Sequence, residues 1–420
     1  MSAAKVKSPR GTFDVLGEES QARATLEARA RALLEGSGYE RIETPAFEAT
    51  ELFARAVGEA TDIVRKEMFT FDDAAGRSLT LRPEGTAPIC RAYVEHGMHK
   101  RRQPVKLWYL SSFFRHERAQ AGRYRQFWQI GAEALGSDDP ALDAESIVLL
   151  SALLGEMGVR GVRLRLSSLG GAQARGEYRE RLQAHLRAHR DALSQDVAAR
   201  IELNPLRAFD SDHEPTRRVM ESAPRLLEDL DAADAEHFAC VQELLAEAGV
   251  AFEIDSTLVR GLDYYTRTVF EFASEELGAQ SGVGGGGRYD GLVEALGGPP
   301  TPGIGWAAGV ERILLAGEAQ PALAGSLELF IALADGTDAR CRRTAFGLLG
   351  AARSAGLNAQ MELAGRSLKG QLGHASALGA RYVAIVEDAE TVLRDMQQGG
   401  QDRIPTDTVV HAVLRGLRDL

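Results

Sequence analysis

Arginines cluster around an apolar hairpin pattern in the middle of the chain. Residues 105–114 and 126–133 are apolar and aromatic enough to form two buried antiparallel strands joined by a turn of small residues. The arginines at or near the ends of this hairpin are Arg102, Arg115, Arg118, Arg123 and Arg125. Guanidinium groups at a buried hairpin are costly unless an anion lies between them. The stretch therefore predicts either an anion-binding site or arginines paired with local carboxylates such as Glu117 and Glu133.

Composition and charge narrow the classes of protein. The 420 residues, 44% hydrophobic and 26% charged, are ordinary for a soluble chain of two or three domains. A net charge of −11 means that nucleic-acid binding would depend on local basic patches. No apolar run reaches membrane-spanning length, and we expect neither secretion nor membrane insertion. Cys90, Cys240 and Cys341 are far apart, which is typical of a reducing cytoplasm.

The residues upstream of the hairpin predict the elements that present two further polar side chains. We expect a helix over residues 18–34 and a small hairpin formed by residues 68–72 and 78–81. The bend in Arg82-Pro83-Glu84-Gly85-Thr86 is fixed by its proline and glycine. It directs Glu84 and Thr86 towards whatever the sheet holds, before a helix that continues to about residue 96.

The residues downstream predict an α+β domain over residues 1–325, with an antiparallel sheet flanked by helices. Charged helical segments between about 170 and 250 indicate a helical insertion, and a helix over residues 303–316 contains Glu311 and Arg312. Residues 317–325 have the composition of a linker. Residues 326–420 alternate strands and helices, which favours a separate α/β domain.

Two other patterns are weighed for chemistry of their own. Residues 284–287 are consecutive glycines, but no Lys-Ser/Thr pair follows, so they do not form a nucleotide-cradling loop. They form either a flexible turn or a backbone that a ligand or a neighbouring strand approaches closely. His185 and His189 are four residues apart on a predicted helix, but no carboxylate or cysteine completes a metal site. We therefore expect no metal ion bound by the protein alone.

Several motifs occur in a fixed order along the first domain. They are Arg82-Pro-Glu-Gly-Thr86, Phe114-Arg-His-Glu-Arg118, Gly122-Arg-Tyr-Arg-Gln126, Leu258-Val-Arg-Gly-Leu-Asp-Tyr-Tyr-Thr-Arg267 and Gly303-Ile-Gly-Trp-Ala-Ala-Gly-Val-Glu-Arg312. With this combination the sequence closely resembles the histidyl-tRNA synthetase family of class II aminoacyl-tRNA synthetases, over nearly the whole chain. The LVRGLDYYTR and GGRYDGL stretches are particular to that family, whereas the Phe-Arg-x-Glu and Glu-Arg patterns alone indicate only the class.

The resemblance implies ATP-dependent activation of L-histidine to histidyl-adenylate and its transfer to tRNA(His). Such enzymes align two anions by charge stabilisation, without a covalent enzyme intermediate. Arg115 and Arg260 would be catalytic and hold the α-phosphate from two sides. Arg312 would bind the γ-phosphate, and Arg123 and Tyr124 would lie near ATP or the tRNA acceptor end. Mg²⁺ would accompany ATP, held mainly by its phosphates.

The resemblance also implies a histidine pocket. The matching positions are Glu84, Thr86 and Gln129 for the α-ammonium group, and Glu133, Tyr264 and Tyr265 for the imidazole. A pocket that satisfies both imidazole nitrogens rejects other amino acids strongly, so no editing domain is expected. Taken singly, the same residues have structural interpretations, such as a helix cap for Glu84, strand packing for the tyrosines and a surface salt bridge for Arg312.

The second domain resembles the family's anticodon-binding domain, although the segment after Val386 looks shorter and less strand-like than the family's usual hairpin. The region around Pro45 resembles the first class II motif, which implies a homodimer. The alternative is the regulatory subunit of ATP phosphoribosyltransferase, which resembles the catalytic domain, does not charge tRNA and usually lacks the second domain. A class II synthetase for another amino acid is disfavoured by the LVRGLDYYTR stretch and by Glu133.

Overall fold

The structure is a computed structural model that describes residues 5–58, 61–117, 122–258, 261–318, 327–336, 338–387 and 390–418. The chain divides into two compact units, an N-terminal unit (Met1–Gln320) and a C-terminal unit (Pro321–Leu420). The boundary predicted between residues 325 and 326, and most of the predicted linker, lie outside the described residues.

The N-terminal unit is built on a large and a small sheet. In chain order its strands are β1 (Glu40–Arg41), β2 (Phe47–Ala49), β3 (Phe69–Asp72), β4 (Ser78–Leu81), β5 (Val105–Phe114), β6 (Gln126–Leu135), β7 (Val162–Ser168), β8 (Glu253–Ile254), β9 (Thr266–Ser274), β10 (Gly282–Arg288) and β11 (Gly303–Gly309). The large sheet has the order β1-β5-β6-β11-β10-β9-β7-β8, and the small sheet the order β2-β4-β3. The large sheet is antiparallel except for its outer pairs, β1–β5 and β7–β8. This architecture matches the predicted α+β fold.

Helices flank the large sheet. In chain order they are α1 (Gly17–Gly36), α2 (Thr50–Val57), α3 (Thr86–Glu95), α4 (Pro140–Glu156), α5 (Ala172–Ala188), α6 (Gln195–Arg200), α7 (Glu214–Glu221), α8 (Ala232–Glu247), α9 (Leu292–Ala295) and α10 (Val310–Ala316). α1, α4, α8 and α10 pack on one face of the sheet, around Trp108, Trp306 and Phe270. The burial of these aromatic side chains is a major contribution to the stability of the unit. On the opposite face, α2, α3 and α9 pack around Phe53, Tyr93 and Tyr109 in a second core.

The glycine run is a central strand of the sheet rather than a turn. β10 pairs with β9 and β11, and the predicted close approach of a neighbouring strand is what the structure shows. A Cβ added at Gly286 would lie 1.9 Å from the carbonyl oxygen of Gly305, and one at Gly284 would lie 2.6 Å from Cβ of Ala308. Only glycine therefore fits these two positions without moving β11.

The predicted helix over residues 303–316 is wrong in its first half. Gly303–Gly309 is strand β11, and the helix begins at Val310. Glycine is a poor helix former, and the alternation of Ile304, Trp306 and Ala308 buries these three side chains on the packed face. A period of two thus overrides the short helical reading.

The segment predicted as a helical insertion consists of α5 to α8 and short helical turns. Its own core contains Leu182, Leu186 and Val197, and this core also includes Tyr265 and Val269 from the main domain. The insertion therefore packs directly on the segment that leads into β9.

The C-terminal unit has strands β12 (Leu329–Leu333), β13 (Ala359–Met361), β14 (Tyr382–Val386), β15 (Glu390–Asp395) and β16 (Gln401–Pro405), and helices α11 (Ala339–Ser354), α12 (Leu368–Ala377) and α13 (Val409–Arg418). Its sheet order is β13-β12-β14-β15-β16. The doubt about the segment after Val386 is corrected, because β15 and β16 form a regular antiparallel hairpin. Leu393 and Ile404 pack against the core, which gives these polar strands one apolar face. Among the described residues, the helices are all too short or too polar to cross a membrane.

Gly286→Ala should lower the denaturant midpoint of the N-terminal unit, by an amount equivalent to about 1–3 kcal/mol, because the new methyl group overlaps a backbone carbonyl. Gly155→Ala is the matched control, since an added Cβ in α4 meets no atom within 4 Å. That variant should be unchanged or more stable by about 0.5–1 kcal/mol, because alanine favours the helix. Urea unfolding followed by circular dichroism measures both. Equal midpoints would contradict the packing described for β10.

Candidate active site

A pocket opens beside the second core, on the face of the large sheet that carries α3, between the bend before α3 and the segment before β9. Its floor is formed by small residues of β10 and β11, namely Gly285, Gly305 and Ala307. The side chains around it include the predicted residues Glu84, Thr86, Gln129, Tyr264 and Tyr265. The structure therefore brings together five of the six side chains that the sequence predicts for a histidine pocket.

Glu84 caps a helix and forms a wall of the pocket at the same time. Its carboxylate accepts hydrogen bonds from the backbone N–H groups of Thr86 (2.8 Å) and Ala87 (3.0 Å), at the N-terminus of α3. The hydroxyl of Tyr264 lies 3.4 Å from the same carboxylate. Burial raises the pKa of Glu84, and the two backbone hydrogen bonds partly offset that rise. The cap thus fixes a buried carboxylate in a position that a cation can reach.

Glu133, the sixth predicted residue, does not line the pocket and is buried against Gly305 of its floor. An added Cβ at Gly305 would lie 1.6 Å from Oε2 of Glu133, so the carboxyl group occupies the space that a side chain there would fill. It accepts hydrogen bonds from Oγ1 of Thr86 (2.8 Å) and from the hydroxyl of Tyr289 (2.6 Å). Burial raises the pKa of Glu133 to about 8, against the lowering effect of these two hydrogen bonds.

Two polar atoms of the pocket have no partner in the described part of the chain. They are the side-chain oxygen of Gln129 and the hydroxyl of Tyr109, and both are buried. The Tyr109 ring lies against Gly85 and Gly131, where an added Cβ would approach the tyrosine oxygen to 2.6 and 2.4 Å. Orphaned buried polar atoms are costly, and a polar ligand would satisfy them. The sequence analysis missed Tyr109 and Tyr289. The pairing of Tyr109 with Gly131 across β5 and β6 was the signal that could have found the first.

A second cleft adjoins the pocket and shares Arg115 and Gln129 with it. Nε of Arg115 donates to the carbonyl of Pro83 (2.8 Å), and its guanidinium group stacks on the ring of Phe127 at 5.3 Å from the centroid. These contacts hold Arg115 at the boundary between the two cavities. A single guanidinium group can therefore face ligands in both.

Arg123, Tyr124 and Arg312 line this arginine-rich cleft further along. Nε of Arg312 donates to the carbonyl of Gly122 (3.2 Å), and Nη1 donates to the carbonyl of Gly282. Burial and then the positive charge of Arg123 lower the pKa of Arg312. Cations whose charged form is disfavoured in this way are stabilised by a bound anion.

The alternative of arginines paired with local carboxylates holds in part. Glu117 lies 3.5 Å from Arg123 and 3.9 Å from Arg115, which are loose ion pairs. Glu133 instead contacts two hydroxyl groups. Arg102 is exposed and lies before the start of β5, at the end away from the cleft. The backbone N–H of Arg125 donates to the carbonyl of Gly11. Arg118 and the predicted catalytic Arg260 lie outside the described residues.

The described residues contain no group of three or more His, Cys, Asp or Glu side chains arranged to hold a metal ion. Nε2 of His185 instead contacts the carbonyl of Val219 at 2.9 Å. Three carboxylates, Glu117, Glu271 and Glu311, line the arginine-rich cleft, and Glu311 accepts hydrogen bonds from the backbone of Trp128 and from Arg23. One or two carboxylates beside phosphate oxygens suit Mg²⁺ bound with a nucleotide.

A mainly antiparallel sheet that carries a polar pocket and an arginine-rich cleft on one face is the fold of class II aminoacyl-tRNA synthetases. The apo histidyl-tRNA synthetase of S. aureus is similar in structure, with a TM-score of 0.81, 34% identity and coverage of 97% of this chain and 100% of that one. The family model described as histidyl-tRNA synthetase matches residues 11–313. The chain belongs to the histidyl-tRNA synthetase family, as the sequence predicted.

Curated relatives agree over almost the full length. A protein of Halorhodospira halophila named histidine–tRNA ligase is 47% identical over 425 residues, which cover 99% of each chain. One of the same name from Rubrobacter xylanophilus is 47% identical and covers 95% of this chain and 96% of its own. This coverage includes the C-terminal unit, which favours the ligase over the regulatory-subunit alternative. The family uses ATP as a substrate and Mg²⁺ with it.

Glu133→Gln should flatten the pH dependence of stability. The pKa of Glu133 in the folded protein, about 8, lies above its ordinary value of 4.5, so the folded state holds this proton more tightly. The resulting stabilisation is complete below the ordinary value and is lost as pH rises through about 8. The amide does not titrate, so the fall in unfolding free energy between about pH 5 and pH 8 should be shallower in the variant.

Urea unfolding at a series of pH values measures this slope. Glu35→Gln, on the exposed surface of α1, is the control and should keep the wild-type slope. Parallel profiles for the wild type and Glu133→Gln would contradict the raised pKa.

Proposed function

We propose that this chain is a histidine–tRNA ligase, which activates L-histidine with ATP and transfers it to tRNA(His), releasing AMP and pyrophosphate. The observation that carries the proposal is the junction of the two cavities at Arg115. There, a pocket whose carboxylate and hydroxyl groups suit an amino acid meets the arginine-rich cleft. Adenylate formation requires this juxtaposition, because the carboxylate of the amino acid must approach the α-phosphate of ATP.

The arginines perform the electrostatic part of the activation. Arg115, fixed by Pro83 and Phe127, would bind the α-phosphate and offset the charge that builds up as the carboxylate attacks. Arg312 would bind the γ-phosphate, and Arg123 would contact ATP from the connection between β5 and β6. Planar guanidinium groups suit phosphate oxygens because they can donate two parallel hydrogen bonds. By resemblance, Arg260 would approach the α-phosphate from the other side.

Mg²⁺ would enter with ATP and lower the repulsion between its phosphates. Glu117 and Glu271 are the carboxylates that could hold it in the arginine-rich cleft. The phosphates and water would supply its remaining ligands.

The pocket residues divide between the two ends of histidine. Glu84, Thr86 and Gln129 would bind the α-ammonium group, which satisfies the orphaned oxygen of Gln129. Glu133, Tyr264 and Tyr265 would surround the imidazole, and the carboxyl group of Glu133 lies against Gly305 of the pocket floor. An amino acid without matching donors would leave buried polar groups unpaired. Discrimination of this kind can reach about 10⁴–10⁵-fold.

The other parts of the reaction rest on the family. The C-terminal unit would read the unpaired anticodon bases of tRNA(His) by hydrogen bonding and stacking. A cytoplasmic location fits both this substrate and the cysteines, which the structure describes as free thiols.

Pyrophosphate exchange tests the ligase proposal. The wild-type protein should catalyse ATP–pyrophosphate exchange with histidine alone among the amino acids. Arg115→Ala and Arg312→Ala should each lower the rate at saturating histidine by at least about 100-fold, because charge stabilisation is lost. Arg260→Ala should abolish exchange without unfolding the protein. Arg77→Ala, whose side chain pairs with Asp73 in an exposed turn, should retain activity.

A protein that binds histidine but supports no exchange with any amino acid would instead be the regulatory subunit. Calorimetric titration with histidine separates these two results. Aminoacylation of tRNA(His) then tests the second half of the reaction.

We also propose that the chain forms a homodimer through its small sheet. Phe47 and Phe71 are 50% and 43% exposed on β2 and β3, and their rings meet edge to face at 6.2 Å. Exposed aromatic pairs of this kind are typical of interaction sites. A second copy is the occupant because these residues adjoin Pro45, in the region that resembles the first class II motif.

Sedimentation equilibrium should give twice the chain mass of 45.4 kDa. Phe71→Asp should shift the population towards monomer, because the interface would bury an unpaired charge. Phe346→Asp is the control, since this phenylalanine is 66% exposed in the C-terminal unit. A monomeric wild type, or the same shift in both variants, would contradict the proposed interface.

A further inference from the structure

The segment that carries Tyr264 and Tyr265 is held by the helical insertion. Nη2 of Arg175, in α5, donates to the carbonyl of Asp263 (2.6 Å), and Nη1 donates to the carbonyl of Tyr265. One guanidinium group therefore bridges two backbone positions on either side of Tyr264. Nδ2 of Asn204, also in the insertion, donates to the carboxylate of Asp263 at 3.2 Å.

The environment of Arg175 shows that this contact is more than a surface attachment. Burial lowers the pKa of Arg175, because its charged form loses solvation. The hydrogen bonds to the backbone carbonyls compensate for part of that loss. Burial also raises the pKa of Asp263, although Arg175 lowers it. A partly buried guanidinium group with fixed acceptors restricts the geometry of the chain that supplies them.

The far end of the same segment is fixed at the start of the insertion. The backbone N–H of Arg267 donates to Gly170 (2.9 Å), and that of Leu169 donates to Arg267 (2.7 Å). Nε of Arg267 donates to Asp234 of α8 at 2.8 Å. These contacts hold Arg267 at φ 45°, in the left-handed region that is unfavourable for a side chain other than glycine.

The apolar contacts follow the same arrangement. The ring of Tyr265 belongs to the core that contains Tyr178, Leu182 and Leu186 of α5. An added Cβ at Gly287, in β10, would be 3.0 Å from the same ring. Tyr265 is thus in contact with both the insertion and β10.

We propose that Arg175 is a positioning residue for the amino-acid pocket, through which the insertion sets the placement of Tyr264 and Tyr265. The inference rests on the proposed function and deepens it, because it assigns the insertion a part in amino-acid binding. Loss of Arg175 loosens one wall of the pocket and leaves Arg115, Arg123 and Arg312 in place. The defect should therefore be larger for histidine than for ATP, to which the same stretch contributes only Arg260.

In pyrophosphate exchange, Arg175→Ala should raise KM for histidine by about 10- to 100-fold, because small displacements of binding groups are costly. KM for ATP should change less than KM for histidine, since Arg115, Arg123 and Arg312 are untouched. Arg175→Lys should recover part of the affinity, because an ammonium group can still donate to one of the two carbonyls.

Arg179→Ala is the matched control. Arg179 lies one turn further along α5, and its guanidinium group also donates to two backbone carbonyls, those of Glu202 (2.9 Å) and Leu203 (2.7 Å). Both acceptors belong to the insertion rather than to the pocket segment. Its loss should leave KM for histidine close to the wild-type value, even where it lowers stability by a similar amount.

Hydrogen–deuterium exchange of the full-length protein gives a readout that does not depend on activity. Amides of residues 261–267 should exchange faster in Arg175→Ala than in the wild type or in Arg179→Ala. The inference would be overturned if hydrogen–deuterium exchange of residues 261–267 were the same in Arg175→Ala as in the wild type. It would also be overturned if Arg175→Ala and Arg179→Ala changed KM for histidine equally. A wild-type protein without histidine-dependent exchange would overturn the proposed function instead, and the amide measurement would still decide whether Arg175 positions the segment.

Discussion

The absence of side chains at the centre of the large sheet determines what the N-terminal unit can hold. Gly131 allows the Tyr109 ring to lie across β6, and Gly305 allows the carboxyl group of Glu133 to lie across β11. On the opposite face, Gly284 and Gly286 let Trp306 and its neighbours pack closely. Gly285, between these two, lies in the pocket floor. The glycine run of β10 therefore closes the core on one side of the sheet and opens a polar pocket on the other. Its backbone hydrogen bonds remain intact, because both neighbouring strands continue to pair with it.

This floor also brings groups of opposite charge close together. Burial raises the pKa of Glu84 and Glu133 on one side of Arg115, and lowers that of Arg312 on the other. Each set is disfavoured in its charged form until a ligand of the opposite charge arrives. A zwitterionic amino acid beside a polyphosphate satisfies both sets. We therefore propose that the electrostatics of the site would align the two substrates before any bond is formed.

Local patterns were sufficient for much of the fold, and they failed where context outweighs them. Strand β5 has the predicted bounds because its apolar residues show no helical spacing that would compete with the strand pattern. The prediction for Gly303–Gly309 was wrong because the alternation of buried and exposed side chains over seven residues is a weak signal when a helix follows directly. The β15–β16 hairpin was doubted because the segment after Val386 looks short and not strand-like, and the pairing of β15 with β14 and of β16 with β15 reveals its apolar face. Glu84, Thr86 and Gln129 were assigned by motif, whereas Tyr109 required the strand register. The contacts of Arg175 join residues 88 and 90 positions apart, and no local pattern predicts such a pair.

The structural and the binding interpretations of these residues prove to be compatible. Glu84 caps α3, and the cap is what holds its carboxylate in the pocket. Glu311 likewise lines the arginine-rich cleft and makes folding contacts. Its carboxylate accepts hydrogen bonds from the backbone N–H of Trp128 (3.1 Å) and from Arg23 (2.9 Å). These bonds tie the start of β6 to α10, which carries Arg312. Because folding contacts and substrate contacts share side chains, loss of activity in a single variant does not identify a role. Only measurements that separate histidine from ATP, and binding from stability, can distinguish a residue that touches substrate from one that positions its neighbour.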